Sequence, residues 1–149
     1  MLHSKSMKLI LLYLTMVTVL SIGITAPLFA QSTTLDLTTP VGDKISGGEK
    51  KGTLDLNVKN DTVIATAQMT KPVAEGQVYE GWFEDKGDAS GYSLSLGKFN
   101  GHGTLSINQT MVDPYTYSVF FVTAEPVKDP DPNPSSIVVG TELPPPFGQ

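Results

Sequence analysis

Thr53-Leu54-Asp55-Leu56-Asn57-Val58, a link at Asn60-Asp61, and then Thr62-Val63-Ile64-Ala65-Thr66-Ala67-Gln68-Met69 decide the fold class. In the first run Leu54, Leu56 and Val58 share one face, and in the second Val63, Ala65, Ala67 and Met69 do. Apolar residues at every second position suit a strand with one face buried, because side chains alternate across a strand and recur near every 3.6 residues on a helix. Asn and Asp tolerate positive φ, so a two-residue link of these types predicts a β-hairpin.

Working outward, the same period recurs and no helical period does. Gln77 to Glu84 predicts an aromatic strand with an ambiguous inward face, Tyr79 and Phe83 on one parity and Val78 and Trp82 on the other. Tyr92, Leu94 and Leu96 alternate with polar residues, and Gly97 admits a bulge before Phe99. Asn100-Gly101 is a strong hairpin signal and returns into Gly103 to Ile107. Tyr115 to Thr123 becomes apolar on both parities, as a central strand would. Ser136 to Thr141 supplies a last strand, and Thr33 to Leu37 an edge strand. Pro40 to Gly52, rich in Gly and Lys, reads as an exposed loop. Seven of the 11 prolines follow Thr123, giving a stiff loop around Pro130, Pro132 and Pro134 and an extended, poorly ordered tail at Pro144-Pro145-Pro146. Seven to eight short strands with frequent turns predict an all-β, immunoglobulin-like β-sandwich, with a small closed barrel as the alternative.

The N-terminus differs in kind. Leu9 to Ala30 is 22 uncharged, mostly apolar residues behind Lys5 and Lys8, and all 15 acids lie after it. A basic start, an apolar run and a small terminal residue make residues 1–30 either a signal peptide cut at Ala30-Gln31 or a retained membrane anchor, since about 20 residues span a bilayer. Both place the rest outside the membrane, and basic-before-acidic agrees with the positive-inside rule. The division expected is 1–30 export segment, 31–143 β-domain and 144–149 proline-rich tail. With eight lysines, no arginine and 15 acids, residues 31–149 carry a net −7, which excludes nucleic acid and anionic lipid as partners. The membrane is engaged only through the N-terminal segment, and only if that segment is uncleaved.

Little in the chain resembles catalytic machinery. There is no cysteine, and His102, flanked by two glycines, is the one histidine past the export segment. That set cannot build a usual zinc or copper site, nor a Ser-His-Asp arrangement, and no cofactor motif is present. Asp129, Asp131 and Asn133 have the 1-3-5 spacing of a calcium loop. They lack its sixth-position glycine, here Pro134, and its twelfth-position glutamate, here Gly140. A looser calcium clip with Glu125 or Asp88 is the weaker reading beside a rigid acidic loop. Asn60 and Asn108 head glycosylation sequons at strand ends. Trp82, the sole tryptophan, reads as a packing anchor.

From Val73 onward the order of motifs resembles the extracytoplasmic C-terminal domain of anti-sigma-K factors. The residues are Ala74-Glu75-Gly76, Tyr79-Glu80-Gly81-Trp82, Gly97-Lys98-Phe99 and Val122-Thr123-Ala124-Glu125-Pro126. Pro132 to Pro134 and Ile137-Val138-Val139-Gly140 complete it, covering about half the chain. The resemblance implies a β-sandwich outside the membrane that contacts or senses something and catalyses nothing. It does not carry over sigma-factor binding, which in that family belongs to a cytoplasmic half, whereas only eight residues precede the apolar segment here.

The function expected is a non-enzymatic, extracytoplasmic binding or interaction module for an extracellular or cell-surface protein or glycan. Its contact loops would be Asp85 to Gly91 and Val127 to Ser135. The alternative is a structural subunit of a surface layer or filament.

Overall fold

The Asn60-Asp61 link turns the chain as its residue types require, with φ of 49° and 60°. It sets Lys59 opposite Thr62 and runs the hairpin in register to Gly52 opposite Met69. A computed structural model describes residues 32–85 and 91–148. Residues 1–30, expected as an export segment, fall outside the described residues, as do 86–90, where much of the expected 85–91 contact loop lies. Among the described residues no helix is long and apolar enough to cross a membrane.

Eight strands follow in order: β1 (Thr33–Val41), β2 (Lys44–Lys59), β3 (Thr62–Met69), β4 (Gln77–Glu84), β5 (Ser93–Lys98), β6 (Thr104–Thr110), β7 (Val119–Pro126) and β8 (Ile137–Glu142). All belong to one antiparallel sheet of order β5-β4-β7-β8-β1-β2-β3-β6, which rolls until its end strands β5 and β6 approach each other. The result is a nearly closed barrel. A sandwich would separate the strands into two hydrogen-bonded sheets, whereas here β1 bridges to β8 through the pair Thr38 and Gly140. Gly140 permits that crossing: a Cβ there would lie 2.7 Å from Ile45 Cγ1 and 2.9 Å from the Ile45 carbonyl oxygen.

Several expectations are corrected by this topology. β1 lies between β8 and β2 in the sheet order, although Thr33 to Leu37 themselves pair only with β2 and β8 meets the strand at Thr38. Pro40 to Gly52 is no loop but the tip and second strand of a β1–β2 arm. Its period is hidden by register shifts at Leu37/Thr38, Thr38/Pro40 and Pro40/Val41. The hydroxyls of Thr38 and Thr39 accept from the Gly47 and Glu49 amides in place of regular ladder bonds. Asn100-Gly101 does form a tight turn, its Asn100 Oδ1 accepting from the His102 and Thr104 amides. The strands it joins do not pair, however: β5 lies on β4, and β6 lies on β3. There Leu105 and Ile107 stand opposite Ala67 and Ala65, small residues that leave them room. β7 begins at Val119, because Pro114–Thr116 form a 3₁₀ turn capped by Asp113. The tail is docked as well: the Gly148 amide donates to the Tyr115 and Tyr117 carbonyls, and Phe147 packs edge-on against Tyr115.

The interior is apolar and shared by all the strands, with Leu37, Leu54, Val63, Phe83, Phe120 and Val122 fully buried. The β5–β6 seam is closed at one end by a side chain. Leu105 reaches across to β4 and β5 over Gly81 and Gly97, and a Cβ at 81 would meet it at 2.5 Å. At the other end the seam opens into a hollow of about 330 Å³ between Leu94 and Gln109 to Met111.

Candidate functional site

Strand parity resolves the aromatic ambiguity. Tyr79 and Phe83 point into the barrel, where Tyr79 meets Phe99 edge-on. Trp82 therefore points outward, yet it is only 4 % exposed. It stacks on Phe121 of β7 at 6.3 Å and, with Val119, forms a second apolar cluster outside the barrel wall. Ile45 of the arm and Ile137 of β8 cover this cluster. The expectation of Trp82 as an anchor is met by its packing, although the cluster it anchors is not the main core.

Polar groups continue the same outer row. The Trp82 indole N–H donates to Thr123 Oγ1 at 2.8 Å, and that hydroxyl donates to Glu125 Oε1 at 2.5 Å. The Ser135 amide donates to the same carboxylate oxygen at 2.8 Å, and the Ser135 hydroxyl to the other. Glu125 is 2 % exposed, so its charge is held by donors and not by water. Burial pushes its carboxyl up, but hydrogen bonds from the Ser135 and Thr123 hydroxyls and the Ser135 amide hold it below the ordinary glutamate value.

Ser135 belongs to the β7–β8 connection, residues 127–136, and Glu125 thereby ties that loop to the strand it leaves. The other end is fixed where the Val127 amide donates to the Gly76 carbonyl at 3.1 Å, in the turn before β4. Between the loop and the outer faces of β4 and β5 lies a cleft of about 300 Å³, lined by Glu80, Trp82, Ser95, Lys98, Glu125, Asp129, Asp131, Pro132 and Asn133. The Ser95 hydroxyl fixes Glu80 by donating to its carboxylate.

The calcium candidates Asp129, Asp131 and Asn133 line this cleft together. Asp129 Oδ1 accepts from the Asp131 amide at 2.9 Å, and Asp131 Oδ1 from the Asn133 amide and carboxamide at 3.0 and 2.8 Å. These bonds engage one oxygen of each acid in shaping the loop. Among the described residues no group of three or more His, Cys, Asp or Glu side chains is placed to hold a metal ion. His102 is exposed in its turn and lines neither hollow. Asn60 and Asn108 are exposed, one in the β2–β3 turn and one on β6 opposite Ile64.

A carboxylate held ionised by three donors is a fixed anion, not a group poised to exchange a proton near neutrality. Chemically, the arrangement offers acceptors, one ammonium and one indole edge. Sequence reasoning placed the loop and named Glu125 only as a calcium partner, not as the buried anchor of the loop, whose signal was parity: it shares the outward row with Val119, Phe121 and Thr123. Ile45 carried no such signal, because the bulges hide its strand. No family model, curated protein or solved structure matches the chain.

Proposed function

We propose that this protein is a non-enzymatic extracytoplasmic binding module that recognises its partner through the cleft beneath residues 127–136. The observation that carries the reading is the construction of that cleft. A loop stiffened by three prolines and two Asx turns is pinned at both ends, so its acidic and amide groups stand at fixed positions before any ligand arrives. Four carboxylates with one lysine and one amide favour a partner surface rich in donors, such as amino groups of a protein or hydroxyls of a glycan.

The reading keeps the resemblance to anti-sigma-K sensor-type domains, several of whose motif residues meet in this fold. Tyr79 contacts Phe99, Trp82 bonds Thr123, and the Gly76 carbonyl holds the start of the 127–136 loop. Export through residues 1–30 belongs to the same reading.

The test is a thermal-shift screen of the purified chain against basic peptides, cell-surface glycans and calcium, beside a broad hydrolase panel. A rise in melting temperature with a peptide or glycan and no turnover is expected; turnover without any such shift would overturn the proposal. A second reading, a subunit of a surface layer or filament, is favoured by the sheet ending on β5 and β6, each hydrogen-bonded to one neighbour. Concentration-dependent assembly by light scattering would support it, and a monomer at high concentration would exclude it.

A further inference from the structure

We infer that residues 127–136 form a strap with one internal latch, the Glu125–Ser135 hydrogen bonds, and that releasing the latch opens the outer face of β4 and β7 while the barrel stays folded. The inference concerns the strap itself and stands whatever the cleft binds.

Three observations carry it. First, the strap contributes little apolar burial: Val127 is 58 % exposed and most of 128–133 is exposed. A segment of that kind has a low local opening free energy. Second, the strap is internally stiff. Pro130, Pro132 and Pro134 restrict its backbone, and the Asp129 and Asp131 Asx turns fix the residues between them. It therefore swings as a unit about the Val127–Gly76 bond instead of dissolving. Third, the charges beneath it oppose closure. Glu80 of β4 and Glu125 of β7 line the same cleft as Asp129 and Asp131 of the strap, with Lys98 of β5 as the cation among them. Like charges gathered in one cleft repel, so the donors of Ser135 work against a force that lifts the strap.

The interior side of β7, with Phe120 and Val122, lies on the far side of the wall and does not depend on the strap. Trp82 lies on the near side. It lines the cleft beside Pro132 and Asn133 and bonds Thr123, which in turn bonds the latch carboxylate. As the chain's one tryptophan it is the sole indole emitter, and it reports on the cover that the strap forms together with Ile45 and Ile137.

The experiment is acrylamide quenching of Trp82 fluorescence in the purified full-length chain, wild type against S135A and E125Q, with far-UV circular dichroism recorded on the same samples. In both variants the quenching constant is expected to rise about twofold or more, with a red-shifted emission and an unchanged β-sheet spectrum. Quenching equal to wild type in folded S135A and E125Q would overturn the inference. So would quenching that rises only in step with loss of the β-sheet spectrum. If E125Q does not fold, S135P decides in its place, since it removes both the amide and the hydroxyl donor of the latch and leaves Glu125 bonded to Thr123.

Discussion

β3 and β7 are both eight residues long and both lie inside the sheet, yet they bury their side chains differently. Along β3, Val63, Ala65, Ala67 and Met69 are buried, while Ile64, Thr66 and Gln68 between them are exposed. Along β7, every residue from Val119 to Thr123 is buried, and Glu125 after them. The wall at β3 therefore has one layer behind it and water in front. The wall at β7 has a second layer, made by Ile45 of the arm, Ile137 and the 127–136 strap. A strand apolar on both faces needs cover on both, and the cover is where this chain places its candidate site.

The largest loss is expected from the interior that both walls share. Phe120→Ala empties a fully buried position in the common interior and should cost about 3–5 kcal/mol in urea unfolding. Glu125→Ala attacks only the outer layer: removing the acceptor of three hydrogen bonds should cost about 2–3 kcal/mol by the same measurement. Because the folded carboxyl titrates below its ordinary value of 4.5, its stabilisation is present above that value and lost as pH falls through the lower, folded one. Melting temperature should therefore fall more steeply for wild type than for Glu125→Ala below about pH 4.5, and parallel profiles would remove Glu125 from the account. Gly140→Ala pushes a methyl into the Ile45 backbone and should cost about 1–2 kcal/mol, read in the same denaturant series. Thr66→Val, on the wet side of β3, should change stability by no more than about 0.5 kcal/mol.

How far the sequence could be read follows the same division. The β2–β3 hairpin was legible because alternation and an Asn-Asp turn agree, each local and each sufficient. β7 was legible as central because Val119 to Val122 leave no polar face. The β1–β2 arm was not, because three register shifts erase the period on which the reading depends. The Asn100-Gly101 signal predicted its turn but not its strands, since β6 chooses β3 through Ala65 and Ala67, a match made more than thirty residues away. The tail's docking rests on one ring, Phe147, against Tyr115. At the site, the loop prolines and the acids were visible. The buried state of Glu125 was not, because it arises only when Ser135 folds back ten residues later.

The 127–136 strap in the outer layer of the β4–β7 wall is held by the Glu125 carboxylate. Amide hydrogen exchange at Ser135, resolved by nuclear magnetic resonance in wild type and Glu125→Ala, tests it most directly. The expected result is a Ser135 amide that exchanges well below the open-chain rate in wild type and loses that protection in Glu125→Ala, while the ladder amides of β7 keep theirs. A Ser135 amide already exchanging at the open-chain rate in wild type would contradict the account.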